Sequence, residues 1–158
     1  MAKITYAALR RHYPTHEQFD GAALYASIGH PDKGRNPSWQ NTCAIRVSLA
    51  LLGAGVAITP GFLTALSGPY KGRRIESRQK ILSNFLRARL GQPEVYQNGY
   101  RAWSQIRPRH GIVSFYRLNG AWDTQGHIDL IEPATMNDLQ CASACYWSSS
   151  EIWFWPLT

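Results

Sequence analysis

Long apolar runs are missing from this chain of 158 residues. The segment from Met1 to Gln18 carries Arg10, Arg11, His12, His16 and Glu17 and lacks the continuous apolar region of a cleavable signal peptide. No other stretch approaches the roughly twenty apolar residues that span a bilayer. The expectation is therefore a soluble protein made in the cytoplasm, whose export, if any, uses a route that needs no leader. Internal repeats and low-complexity tracts are absent too. Acidic residues are few: 10 Asp and Glu stand against 17 Lys and Arg, for a formal charge of +7 and a pI near 9.6. Lys71, Arg73, Arg74, Arg78, Lys80, Arg87 and Arg89 gather in the middle third. A solvated helix face is the default reading of that cluster, and attraction to an anionic polymer comes second. Nucleic acid comes third, because no nucleic-acid motif surrounds these residues.

Cysteine is also scarce, with three in all. Cys141 and Cys145 form a C-x3-C pair with no second pair or closely spaced histidines beside it, so a zinc site has weak support and no metal or other cofactor is expected. Two readings of the pair stand level. One is a disulfide formed outside the cytoplasm, and the other is two unpaired thiols in a C-terminal loop or strand.

What the chain does contain suffices for one core. A hydrophobic content of 44% with 12% aromatics predicts a single domain over residues 1–158. Tyr6 to Arg11 and Phe19 to Ser27 read as helix broken at Pro14, and Gly29 to Ser38 as a loop. Ala44 to Leu52 is apolar around most of its circumference, as a buried helix should be, and Gly53 and Gly55 supply its stop. Pro60 to Gly72 is irregular, and Ile75 to Leu90 is amphipathic with Ile81, Leu82, Phe85 and Leu86 at helical spacing. Gly111 to Leu118 alternates as a strand, Asn119-Gly120 signals a hairpin, Trp122 and Gly126 begin the next strand, and Glu151 to Trp155 forms the last. Helices followed by antiparallel strands give an α+β architecture.

Cys43 opens the buried helix. If Asn41 or Thr42 caps it, the thiol lies in the first turn, where unpaired N–H groups and the helix dipole favour a thiolate. The alternative is a small buried apolar thiol. His127 begins the half-buried strand Gly126-His127-Ile128-Asp129-Leu130-Ile131, a fixed platform for a general base. Taken alone, a histidine at a strand start is more often an ordinary surface or core residue. The order of cysteine helix followed by histidine strand makes the pairing more specific than either residue alone.

The run Trp39-Gln40-Asn41-Thr42-Cys43-Ala44-Ile45-Arg46, the strand from Gly111, the Gly126-His127 strand and the closing Glu151-Ile152-Trp153-Phe154-Trp155-Pro156 resemble the fourth family of type VI secretion amidase effectors. These belong to the NlpC-like, papain-related cysteine peptidases. The resemblance runs from about Trp39 to the C-terminus, and Gln-Asn-x-Cys-x-Ile-Arg is its most specific part. It implies a papain-like α+β fold with N-terminal helices and the nucleophile at a helix N-terminus packed on an antiparallel sheet. It also implies a toxin that cleaves the amide between D-glutamate and meso-diaminopimelate in peptidoglycan stem peptides.

Cys43 and His127 fall on the family's nucleophile and base. The family places an acidic residue shortly after the histidine strand, and Asp138, eleven positions beyond His127, is the preferred match. Asp129 is its rival, on the same strand face as His127 but less able to reach the far ring nitrogen. Either carboxylate has a plainer reading, as a turn cap or a surface charge. Acyl transfer through a thioester follows, with the Cys43 N–H and the side chain of Gln40 or Asn41 as candidate oxyanion donors. Arg46 would meet a substrate carboxylate or, more in character, form an internal ion pair.

The resemblance further implies a cognate immunity protein in the active-site groove, delivery by the type VI secretion machinery and action in the target periplasm. It favours the disulfide between Cys141 and Cys145, because similar doublets occur in the family. Nucleic acid and a membrane span are not expected. Other papain-like hydrolases or deamidases, and a non-catalytic basic binding module, remain the competing readings.

Overall fold

The computed structural model describes residues 3–120 and 123–158, so the expected strand start at Trp122 lies outside the described residues. Contacts divide the chain into two compact units, one of residues 7–82 and the other of residues 83–158 with the N-terminal residues up to Tyr6.

The first unit is built on helices. It holds α1 (Tyr6–His12), α2 (Gly21–Ser27), two 3-10 turns (Lys33–Arg35 and Pro37–Trp39), α3 (Cys43–Gly53) and the antiparallel ribbon of β1 (Leu63–Thr64) with β2 (Arg74–Ile75). Asp20 accepts the Ala23 N–H at 2.8 Å and so starts α2 two residues after the expected Phe19. Every residue from Cys43 to Leu52 is buried, which agrees with the all-round apolar pattern of α3. Its polar exceptions are provided for. The Ser48 hydroxyl donates to the Glu76 carbonyl at 3.0 Å and accepts the Glu76 N–H at 3.2 Å, tying α3 to the chain leaving β2. After α3 the chain turns through Gly55 at φ 91°.

Helix α4 (Gln79–Leu90) starts four residues later than the amphipathic pattern suggested. Ile75 is occupied as a strand residue paired with Leu63, and Glu76 beyond it binds Ser48, so the first apolar position of the pattern serves the ribbon instead.

The second unit centres on a five-stranded antiparallel sheet in the order β3-β7-β4-β5-β6, with β3 (Glu94–Tyr96), β4 (Gly111–Tyr116), β5 (Gly126–Thr135), β6 (Asp138–Cys141) and β7 (Glu151–Pro156). Strand β4 lies in the middle and is buried from Gly111 to Phe115, as its apolar residues on both faces require. A Cβ at Gly111 would stand 2.0 Å from the Trp155 carbonyl oxygen, so only glycine allows β4 and β7 to meet there. Between β4 and β5 the register pairs Phe115 with His127 and Val113 with Asp129. Ile106, Val113, Phe115, Ile131, Ile152 and Phe154 form the core, each side chain contributing about 1.5–3 kcal/mol through burial. Helix α5 (Gly99–Ile106) joins this core through Ala102 and Ile106, and Asn98 caps it by accepting the Arg101 N–H at 3.0 Å. On the edge strand β3, Arg109 holds Glu94 with contacts of 2.5 and 2.8 Å, and these hydrogen bonds keep the Glu94 carboxyl below its ordinary range. The architecture is α+β, as expected. Among the described residues no helix is long and apolar enough to cross a membrane.

Candidate active site

Cys43 is the first residue of α3 and is 6% exposed. Its two predecessors divide the capping work. Thr42 occupies the cap position, but its hydroxyl accepts Arg46 Nε at 2.9 Å, while Asn41 Oδ1 accepts the Cys43 N–H at 3.1 Å. The N–H expected to serve an oxyanion is thus engaged by Asn41 in this structure. Gln40 turns its amide toward its own loop, with Nε2 donating to the Asn36 carbonyl at 3.0 Å.

The run ahead of Cys43 is held from several directions. The Tyr25 hydroxyl donates to the Trp39 carbonyl at 2.6 Å, and the Trp39 ring stacks on Phe62 with centroids 5.9 Å apart. Lys33 Nζ stands 4.2 Å from the centre of the Trp39 ring. Burial pushes the Tyr25 phenol up to about 12, so it remains a donor to Trp39 across the physiological range. The thiol is thereby carried on a fixed helix end behind a braced loop.

Arg46 is fully buried, which keeps it from a substrate carboxylate. Nε reaches Thr42 and Nη1 donates to the Pro14 carbonyl at 2.9 Å, so this side chain fastens the start of α3 to the segment after α1. Arg46→Ala should lower unfolding free energy by about 3–5 kcal/mol, through the cavity and the acceptors left unpaired. A urea titration checks it. A loss under about 1 kcal/mol would be the value of a surface residue and would contradict this role.

His127, also 6% exposed, lies near the start of β5 between aromatic neighbours. The Phe115 ring is stacked with it at 6.2 Å, and Tyr146 meets it edge-on at 5.0 Å. Its Nε2 is 2.8 Å from Asp129 Oδ2. Asp129 is completely buried, and its carboxylate collects backbone donors: Oδ2 accepts the Ser143 and Ala144 N–H groups at 3.0 Å each, and Oδ1 accepts that of Leu130 at 2.9 Å. Three N–H donors leave Asp129 as an acceptor, so the ring nitrogen facing it, Nε2, is the one that carries a proton.

Asp138, the preferred orienting carboxylate, does not touch His127. It sits exposed at the start of β6, accepting the Leu139 N–H at 2.8 Å and Trp103 Nε1 at 3.3 Å. The strand period of two sets the ring of His127 and the carboxylate of Asp129 on one face, and this proximity reaches the far ring nitrogen after all. Cys141 and Cys145 are joined in a disulfide with Cα atoms 5.3 Å apart. The Ser143 and Ala144 N–H groups and the ring of Tyr146 are participants that sequence reading missed. Backbone donors carry no residue-type signal, although the C-x3-C spacing that shapes their turn was visible.

The model of the family Tae4, "Type VI secretion system (T6SS), amidase effector protein 4", matches residues 39–155. No curated protein matches the chain in sequence. Solved structures share its fold at low identity. The type VI effector Tae4 from Enterobacter cloacae aligns with a TM-score of 0.74 and 20% identity over 99% of this chain and 98% of that one. A chain of the Tae4–Tai4 effector–immunity complex from the same organism gives 0.71 and 21% over 100% of both. A chain of the corresponding Salmonella Typhimurium complex gives 0.66 and 21% over 97% of this chain and 95% of that one.

Proposed function

Because the chain belongs to the type VI secretion amidase effector family Tae4, we propose that it hydrolyses the D-glutamyl–meso-diaminopimelate amide of peptidoglycan stem peptides with Cys43 as nucleophile and His127 as base. The observation that supports this most is the buried contact of Asp129 with His127 Nε2, which makes Nδ1 the nitrogen that takes a proton. In the mechanism, Nδ1 accepts the thiol proton as Sγ attacks the amide carbonyl. The resulting imidazolium gives that proton to the departing diaminopimelate amine, and a thioester forms. Water, deprotonated by His127, then attacks the thioester and frees Cys43 with a glutamate carboxylate. Asp129 keeps the ring in the required tautomer and balances its charge. The developing oxyanion would meet the Cys43 N–H in place of Asn41 Oδ1.

Residues 1–158 act as one amidase domain in this reading. The chain is delivered by the type VI machinery, works in the periplasm of a rival cell and is neutralised in its producer by a cognate immunity protein, as the Tae4–Tai4 complexes suggest. A charge of +7 suits an anionic wall.

Mass analysis of digested sacculi tests the assignment. Fragments ending in D-glutamate, with a new free amine on diaminopimelate, are expected from the wild type and not from protein alkylated at Cys43. A cut at any other bond, deamidation without cleavage, or release that survives alkylation would overturn it.

A further inference from the structure

Asp129 receives two of its donors from a turn closed covalently at both ends. Cys141 ends β6 and is bonded to Cys145, at a sequence separation of four, and the Ser143 and Ala144 N–H groups between them meet on Asp129 Oδ2 at 3.0 Å. Two successive N–H groups aimed at one oxygen form a small anion-binding nest, a geometry that an open chain samples only as one of many. The same turn is fixed at its entrance, where the Ala142 N–H donates to the Leu130 carbonyl at 2.9 Å. At its exit Tyr146, directly after Cys145, lays its ring against His127 at 5.0 Å. The bridge thus borders both the carboxylate that holds Nε2 and an aromatic wall of the imidazole.

We propose that the Cys141–Cys145 disulfide is a positioning element of the amidase: it holds the Ser143 and Ala144 N–H groups on Asp129, which in turn holds His127. The inference rests on the amidase reading for its effect on turnover, but the clamp itself can be read separately. Its chemistry is reversible thiol–disulfide exchange. A dithiol attacks one sulfur, the Cys141–Cys145 bond breaks, two protein thiols form and the reductant leaves as its own disulfide. Restoring the bridge requires a disulfide oxidant, which oxidising compartments provide and the cytosol does not. The reduced protein therefore turns over slowly where it is made, and bridge formation raises its rate after export.

The test uses Cys141→Ser/Cys145→Ser in the full chain, with selectively reduced wild type as a second sample in case the variant folds poorly. On a soluble stem peptide kcat should fall about ten- to hundredfold while KM stays within about twofold, the range expected when a supporting contact of a reacting group is loosened. Hydrogen exchange of the Ser143 and Ala144 amides should quicken without a matching loss of global stability. In an Asp129→Asn background the cysteine changes should cost nothing further, since both act through one contact. An unchanged kcat in the double variant, or a loss that adds in full to that of Asp129→Asn, overturns the proposal. If the wild type shows no turnover that Cys43→Ala removes, the amidase reading fails on its own. Amide exchange still decides the clamp in that case, and equal protection with and without the bridge overturns it.

Discussion

Cys43→Ala should reduce turnover of stem peptide by about 10⁴-fold or more while leaving the fold in place, because no other group can form the thioester. The substitution is mild for packing. Cys43 sits at the start of a helix whose interior is anchored by Ile45, Val47, Leu49 and Leu51, and the backbone contact to Asn41 does not depend on the sulfur. A methyl group fills nearly the same space as a thiol, and alanine is at home in a first helical turn. Unfolding free energy should therefore move by less than about 1 kcal/mol. Cys43→Ser is the sharper comparison, since it restores a hydroxyl in the same place. An alcohol is a far weaker acid and a poorer nucleophile toward an amide carbonyl than a thiol, so serine should recover almost none of the rate. Steady-state kinetics beside urea unfolding separate the two effects. Variants that keep more than about a hundredth of wild-type turnover would remove Cys43 from the mechanism.

The sequence made some of this plain and hid the rest for identifiable reasons. Helix α3 could be read because it is apolar on every side, and β4 and β7 because their apolar runs are bounded by Gly111 and Pro156. The two-residue strands β1 and β2 leave no period to detect, and their pairing of Leu63 with Ile75 is a long-range event. Helix α5 has eight residues, of which Ala102 and Ile106 face the core, and its best signal was the capping residue Asn98. Cys43 and His127 were legible as residue types in suitable places. Choosing between two carboxylates was harder. The family resemblance favoured Asp138, whereas the contact to His127 belongs to Asp129 and depends on side-chain direction and on a turn far along the sequence that closes over it. Arg46 illustrates the same limit. An arginine in an apolar helix was expected to form an internal ion pair, yet it donates to the Thr42 hydroxyl and to the carbonyl of Pro14, distant in sequence.

Asp129→Asn should lower kcat by about 10³–10⁴-fold, and Asp138→Asn should leave it within about threefold of wild type. The reason lies in how many donors Asp129 faces. With the oxygen of the substituted amide toward His127, Ser143 and Ala144, its NH₂ points at the Leu130 N–H and two donors confront each other. Turned the other way, the NH₂ meets three donors at once, and His127 can answer only by moving its proton to Nδ1, which removes the base. In both orientations the imidazolium loses its counter-charge at the moment it forms. KM should change little, because Asp129 is fully buried and has no surface to offer a substrate. At position 138 an amide oxygen still accepts from Leu139 and Trp103, so the exposed turn keeps its contacts. Stopped-time hydrolysis of a stem peptide, with both variants beside the wild type, ranks them. The reverse ranking would return the orienting role to Asp138 and would require β6 to bring its first residue to the imidazole only when substrate is bound.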